Sequence, residues 1–192
     1  MTEAVKHPGA GARAGEDPGS AFALIVAEHQ RLVYSLALRL TGDAAAAEDI
    51  TQEAFLSAWK SLDRFRGESS LKNWLARIAV NKVRSYWRWK KLRSWVGLSD
   101  RGEDGEAAPL EERLPDDPRG RPEQAALAAE LGERVRAAIA ALPQRQREVA
   151  ALRAQGLGLA EIGAILGVAE GTVKAHWFAA RAKLEAALGE YL

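Results

Sequence analysis

Apolar side chains recur along this chain at steps of three and four residues, the spacing that gathers them on one face of an α-helix. Phe22, Ile25, His29, Leu32, Val33, Leu36 and Leu40 make the first such stripe. It predicts helix from an N-cap at Ser20 and allows a break near His29, which reads as a packed boundary histidine rather than a ligand. Thr41-Gly42-Asp43 then closes that stretch and caps the next. Over 44–62, Ala47, Ile50, Ala54 and Ala58 predict a buried stripe with Phe55 and Trp59 at its edge, while Asp49, Gln52, Glu53 and Leu56 fall together on the opposite side. A turn then leads into a long helix over 71–93. Its predicted apolar stripe is Leu71, Trp74, Leu75, Ile78, Ala79, Trp89 and Leu92, and Asn73, Arg77, Asn81, Arg84, Arg88 and Lys91 line a separate face.

Periodicity fails twice. Residues 1–19 are rich in Gly, Ala and Pro and predict a disordered tail; residues 94–121 gain Gly, Pro and acid and predict a flexible acidic linker. Helical spacing resumes at Pro122, a residue suited to a first helical position, and predicts helices over 122–141, 143–155, 159–167 and 170–187. No strand alternation and no internal repeat emerge. The expected fold class is all-α, with two small helical domains, 20–93 and 122–192, joined by the linker.

Composition narrows the chemistry. The 192 residues include no cysteine and three widely spaced histidines, which excludes disulfides and thiolate sites and leaves no histidine cluster for a metal. No cofactor and no catalytic residue are expected. No apolar run reaches the length of a membrane span, and the apolar stretch 21–27 follows acidic Glu16 and Asp17, so it reads as a helix start rather than a secretory core. The expected compartment is the cytoplasm. Net charge is only +1 but strongly segregated: −3 over 21–54, +9 over 55–93, −5 over 94–123 and 0 over 169–192. Such blocks suit a polyanion partner for one part of the chain and basic protein surfaces for others.

Two constellations carry function. In the first, Gly163 permits close helix approach, Gly167 supplies a turn, and Ile162, Leu166, Val168 and Val173 occupy the inward positions of a helix-turn-helix. Its second helix turns Val173, Trp177, Ala180 and Leu184 inward, leaving Thr172, Lys174, Ala175, Phe178, Arg181 and Lys183 to reach DNA. A helix of zero net charge gains little from phosphates, so this unit is not expected to hold DNA unaided. The second constellation is the basic face of the 71–93 helix. There Asn81 and Trp87, beside Arg84 and Arg88, offer a polar contact, a stacking surface and cations to a base pulled from the duplex. Spacing alone leaves Trp87 open between that role and a structural one.

The run Phe65-Arg66-Gly67-Glu68-Ser69-Ser70-Leu71-Lys72-Asn73-Trp74-Leu75-Ala76-Arg77-Ile78-Ala79-Val80-Asn81 resembles the promoter-melting segment of bacterial extracytoplasmic-function (ECF) sigma factors. Glu48-Asp49-Ile50-Thr51-Gln52-Glu53-Ala54-Phe55 resembles their polymerase-binding segment, and Leu142-Pro143 with Glu170-Gly171-Thr172-Val173-Lys174 resembles their second domain. The resemblance implies that Asp49, Gln52 and Glu53 dock on core RNA polymerase, with Leu56 as the apolar part of that surface. It implies that Arg66, Gly67, Glu68, Ser69 and Ser70, with Asn73 and Asn81, capture a flipped minus-ten base, while Arg77, Arg84 and Arg88 hold the separated strand. Thr172, Lys174 and Arg181 would address the minus-thirty-five element, the linker would thread the polymerase RNA channel, and an anti-sigma factor becomes an expected partner. This chain departs from the family pattern at Ala169, where a Ser N-cap is common, and at His176 and Ala179, where basic residues are usual.

Two rival readings are weaker. A stand-alone helix-turn-helix regulator leaves the −3 and +9 blocks without a purpose. An enzyme is weaker still: Gly156 and Gly158 do not extend into a phosphate loop, and Asp49 with Glu53 has no His or Cys nearby to make catalytic use of it.

Overall fold

The computed structural model describes residues 18–67, 69–95 and 122–189, side chains of 18 and 122–129 excepted; the expected tail up to residue 17, the expected linker over 96–121, and Glu68 lie outside them. All regular structure among these residues is helical: α1 (Pro18–Thr41), α2 (Ala44–Ser61), a 3₁₀ turn (Leu62–Arg64), α3 (Leu71–Trp95), α4 (Pro122–Ala140), α5 (Gln144–Ala154), α6 (Leu159–Leu166) and α7 (Glu170–Leu188). None of the helices is long and apolar enough to cross a membrane.

Helix α1 runs without a break past His29 and starts two residues before Ser20. It ends where Gly42 adopts φ +72°, a left-handed conformation that costs glycine little, and donates its N–H to Leu38 O at 2.8 Å. Asp43 then caps α2, its carboxylate accepting from the Ala46 N–H at 3.0 Å. Small residues set how closely the first three helices pack. Ala37, Ala47, Ala54, Ala58, Ala76 and Ala79 are buried around Val33, Leu36, Ile50, Leu75, Val80 and Val83.

The apolar face of α3 departs from the sequence expectation. Its buried residues are Leu71, Leu75, Ala76, Ala79, Val80 and Val83, a stripe rotated by about a quarter turn at 100° per residue and ending at Val83. Trp89 and Leu92, expected in the core, are 62% and 46% exposed, because the last turns of α3 outrun the helices that could cover them. Trp87, the candidate stacking residue, lies on the buried side. Its ring packs edge-on against Tyr86 and its indole N–H donates to Leu40 O at 3.3 Å. These contacts tie Trp87 to α1 and to its neighbour on α3.

In the second unit α5, α6 and α7 close around Val149, Leu152, Leu157, Ile162, Leu166 and Val173. Arg147 donates to the Ala140 and Leu142 carbonyls, satisfying groups at the end of α4 that have no helical partner. Between α6 and α7, Gly167 takes φ +71°. A Cβ on Gly163 would lie 2.8 Å from Val168 O, so the close crossing of the motif requires glycine there.

The two units share one continuous core cluster. Across the seam, Gln155 Nε2 donates to Ser35 Oγ at 2.9 Å, tying the end of α5 to α1.

Candidate nucleic-acid interface

Helix α3 carries eight Lys and Arg residues and no acid. Its cations divide among two faces and an overhang. One face meets the second unit. Lys72 Nζ donates to Gln155 O, Asn73 Nδ2 to Glu161 Oε1, and Arg77 Nη2 to Ala164 O, each at 2.8 Å. Arg84 forms a bidentate pair with Glu148, its Nε and Nη2 each 2.8 Å from a carboxylate oxygen. The two planar groups match, which is the strong form of this interaction.

Glu148 is the centre of that contact and was not visible in the sequence pattern. It is 3% exposed and also accepts from Gln144 at 3.2 Å and Arg145 at 3.1 Å. Burial alone pushes its carboxyl pKa upward, but the hydrogen bonds and charges of Arg84 and Arg145 outweigh burial and hold it below the usual carboxylate value. The hydrogen bond to Glu148 in turn raises the Arg84 pKa. Glu161 is held low by the Asn73 hydrogen bond and by the Gly158 N–H at 2.7 Å.

The other face of α3 opens on a groove toward α2. Asn81, exposed, lines it with Ser85 and Trp89, opposite Asp49 and Glu53; its volume is about 820 Å³. Lys82 reaches across to Glu53 at 3.1 Å. Arg88, Lys90 and Lys91 are exposed on the overhang. The expected melting residues are therefore not gathered on one free surface: Asn73, Arg77 and Arg84 hold the second unit, whereas Asn81 and Arg88 face outward.

Of the expected loop residues, Arg66, Gly67, Ser69 and Ser70 stand at the head of α3. Arg66 and Gly67 are exposed, Gly67 with φ +71°, and Ser69 is half-buried. Ser70 Oγ accepts from the Asn73 N–H at 3.2 Å and so caps α3. Phe65 packs against Trp74 with ring centroids 5.0 Å apart, which fixes where the loop joins the helix. On α2, Asp49, Gln52 and Glu53 are exposed as expected, and Leu56 beside them is 58% exposed.

On α7, Val173 and Ala180 are buried and Trp177 and Leu184 half-buried, the inward set expected. Thr172, Lys174, Ala175, Phe178, Arg181 and Lys183 are exposed, Phe178 at 58%; His176 is half-buried at the edge of the inward face. Arg181 Nε is paired with Glu185 at 2.6 Å. Ala169 occupies the N-cap without a side-chain hydrogen bond.

A basic, acid-free helix joined to a helix-turn-helix defines a nucleic-acid-binding class of protein. Comparison with known proteins makes the class specific: residues 25–93 match Sigma-70 region 2, and residues 132–184 match Sigma-70, region 4. The RNA polymerase sigma-H factor of Pseudomonas aeruginosa is 33% identical over 169 residues, 88% of this chain and 86% of that protein. The ECF RNA polymerase sigma-E factor of Escherichia coli strain K12 is 36% identical over 170 residues, 86% of this chain and 85% of that protein. Among solved structures, the sigma factor RpoE in complex with the anti-sigma factor NepR from Bartonella quintana aligns with TM-score 0.66 and 26% identity, covering 89% of this chain and 98% of that one. The chain belongs to the ECF family of RNA polymerase sigma factors, and its function is that of an alternative sigma factor.

Proposed function

We propose that this sigma factor uses 20–93 to bind core RNA polymerase and melt the minus-ten region, and 122–192 to contact the minus-thirty-five element, with 94–121 as linker. The observation that carries the reading is α3, a helix with eight cations and no acid that also bears an exposed asparagine, Asn81. Asp49, Gln52, Glu53 and Leu56 form the polymerase-docking face. Asn81 hydrogen-bonds the flipped base, and the loop residues 66–70 enclose it. Arg77, Arg84 and Arg88 hold strand phosphates, and Thr172, Lys174 and neighbouring exposed residues of α7 address the upstream element. Chemistry stays with polymerase, so the chain is no enzyme, and it acts in the cytoplasm where polymerase and promoter are. An anti-sigma factor is its regulatory partner.

The bidentate grip of Glu148 on Arg84 adds a condition. Paired through its Nε and Nη2 edge, Arg84 has its charge neutralised by Glu148, so it offers a promoter phosphate its full positive charge only once that pair is broken. Reconstitution with core polymerase on a promoter library tests the reading: the expected result is promoter-specific initiation that falls with Asn81→Ala on duplex templates and recovers on a pre-opened bubble. Tight, specific binding of the purified chain to duplex DNA without polymerase would favour a stand-alone regulator instead.

A further inference from the structure

We propose that the cleft between α1 and α4 is a binding site for a small carboxylate with an apolar body, and that such a ligand holds the two units closed. The site is read from its own residues, while its regulatory consequence rests on the sigma-factor reading and deepens it.

Helix α1 lines the cleft with Ser35, Leu38 and Arg39, and α4 lines it with Val135, Arg136 and Ile139. Its volume is about 330 Å³, at the small end of the roughly 300–1,000 Å³ typical of ligand sites. Leu38 and Ile139 are buried and Val135 half-buried, which gives the cleft an apolar floor. Its polar groups are unequally committed. Arg136 donates to Glu133 Oε1 at 2.5 Å, one turn away on its own helix. Ser35 Oγ accepts from Gln155 Nε2 and donates to Leu32 O. Arg39, by contrast, has no ion pair among the described residues, and its Nε is buried without a hydrogen-bond partner. A buried donor left unmatched is destabilising, and an acceptor entering the cleft removes that cost.

The lining selects the ligand. A guanidinium fork matches the two oxygens of a carboxylate. Phosphate would match it too, but a bare phosphate leaves Leu38, Val135 and Ile139 against water, whereas an aryl or short acyl group beside the carboxylate covers them. A neutral apolar molecule would cover them and leave the Arg39 Nε unmatched. Because α1 belongs to the first unit and α4 to the second, the ligand touches both. It therefore binds the closed arrangement better than the open one and shifts the population toward it. Closed is the arrangement in which Glu148 neutralises Arg84, and Lys72 and Arg77 are spent on carbonyls. A small acid in this cleft and promoter DNA on α3 thus oppose one another through the seam.

The test titrates the full chain with benzoate, with benzyl alcohol and inorganic phosphate as controls. Benzoate should bind one to one and raise the thermal midpoint, and both controls should bind much more weakly. Arg39→Gln should weaken benzoate binding by about 10- to 100-fold, the loss of a charge-assisted hydrogen bond, and Arg39→Lys should lose less. Arg39→Gln should leave the ligand-free midpoint in place, since the Arg39 Nε has no bond to lose. Gly132→Leu keeps Arg39 and adds a side chain to the lining, where a Cβ meets only the Arg136 guanidinium, at 3.7 Å; it should block benzoate. In the assembly with core polymerase, saturating benzoate should weaken promoter binding several-fold for wild type and not for Arg39→Gln. Absence of benzoate binding, binding unchanged in both Arg39→Gln and Gly132→Leu, or phosphate bound as tightly as benzoate overturns the site. Binding at the site with unaltered promoter affinity overturns the closure. An assembly that binds no promoter even without benzoate overturns the sigma-factor reading instead, and the titration of the free chain still decides the site.

Discussion

Helices α3 and α7 both face nucleic acid in the proposed function, yet they are built on opposite terms. Helix α3 has eight cations and no acid, but Lys72, Arg77 and Arg84 are engaged by the second unit. Helix α7 sets three cations, Lys174, Arg181 and Lys183, against two acids, Glu170 and Glu185, and its outward face is open. The contrast separates holding from reading. A strongly charged helix supplies sequence-independent attraction and needs a restraint on it, while a weakly charged helix contributes little until something else brings DNA to it.

The contrast breaks most strongly at Glu148. Glu148→Ala leaves Arg84 facing a site that lost its anion, and should lower unfolding free energy by about 3–5 kcal/mol, as for other buried pairs cut on one side. Denaturant titration of the single variants and the Arg84→Ala double variant would isolate the coupling between them. Acid should imitate the change. Because Glu148 and Glu161 are both held below the usual carboxylate value in the folded chain, the unfolded chain takes up protons first as pH falls. Their stabilisation is thus fully present at neutral pH and is lost as pH drops through and below the carboxylate range. The gap in stability between wild type and Glu148→Gln should narrow from pH 7 toward pH 3.

Gly163→Ala acts on the seating of α7. With Val168 O only 2.8 Å from the new Cβ, the crossing must open, at a cost of about 1–3 kcal/mol. Binding of the minus-thirty-five element within the polymerase complex should fall while polymerase affinity holds. Glu53→Lys tests the surface beside α3. It removes the partner of Lys82 and places like charge against a basic docking site, and should weaken core-polymerase binding by about 1–3 kcal/mol in a titration. An unchanged affinity with an intact fold would remove Glu53 from the docking face. The smallest effect sharpens α7 itself: Ala169→Ser supplies the absent cap and should stabilise the helix by about 1 kcal/mol, read as a higher thermal midpoint with no change in the salt dependence of DNA binding.

Local signals were legible in the sequence wherever neighbours in the chain are neighbours in space. The Asp43 cap, the outer face of α2 and the glycines of the helix-turn-helix each depend on a few adjacent residues, and each is found where expected. The face of α3 was not. Large residues dominate a hydrophobic pattern, so Trp89 and Leu92 drew the expected stripe toward themselves, whereas the real contact is made by Ala76, Ala79, Val80 and Val83 packed closely on neighbouring helices. Nor does any spacing reveal how far a helix outruns its partners, which is what exposes Trp89. Glu148 was hidden for a different reason. Its partner Arg84 lies 64 positions away, and a glutamate in a charged helix looks solvated until tertiary contacts bury it.

Two of the hydrogen bonds across the seam end on main-chain oxygens. Lys72 meets the Gln155 carbonyl at the end of α5, and Arg77 meets the Ala164 carbonyl in the last turn of α6, where the Val168 N–H has gone to Gly163 O instead. Carbonyls at a helix C-terminus carry partial negative charge and lack an intrahelical donor whatever side chain they bear. No substitution at position 155 or 164 deletes either acceptor. The seam is therefore robust to mutational drift on that side, so the promoter-reading unit can change its surface and its DNA preference over generations while two of its ties to the first unit persist.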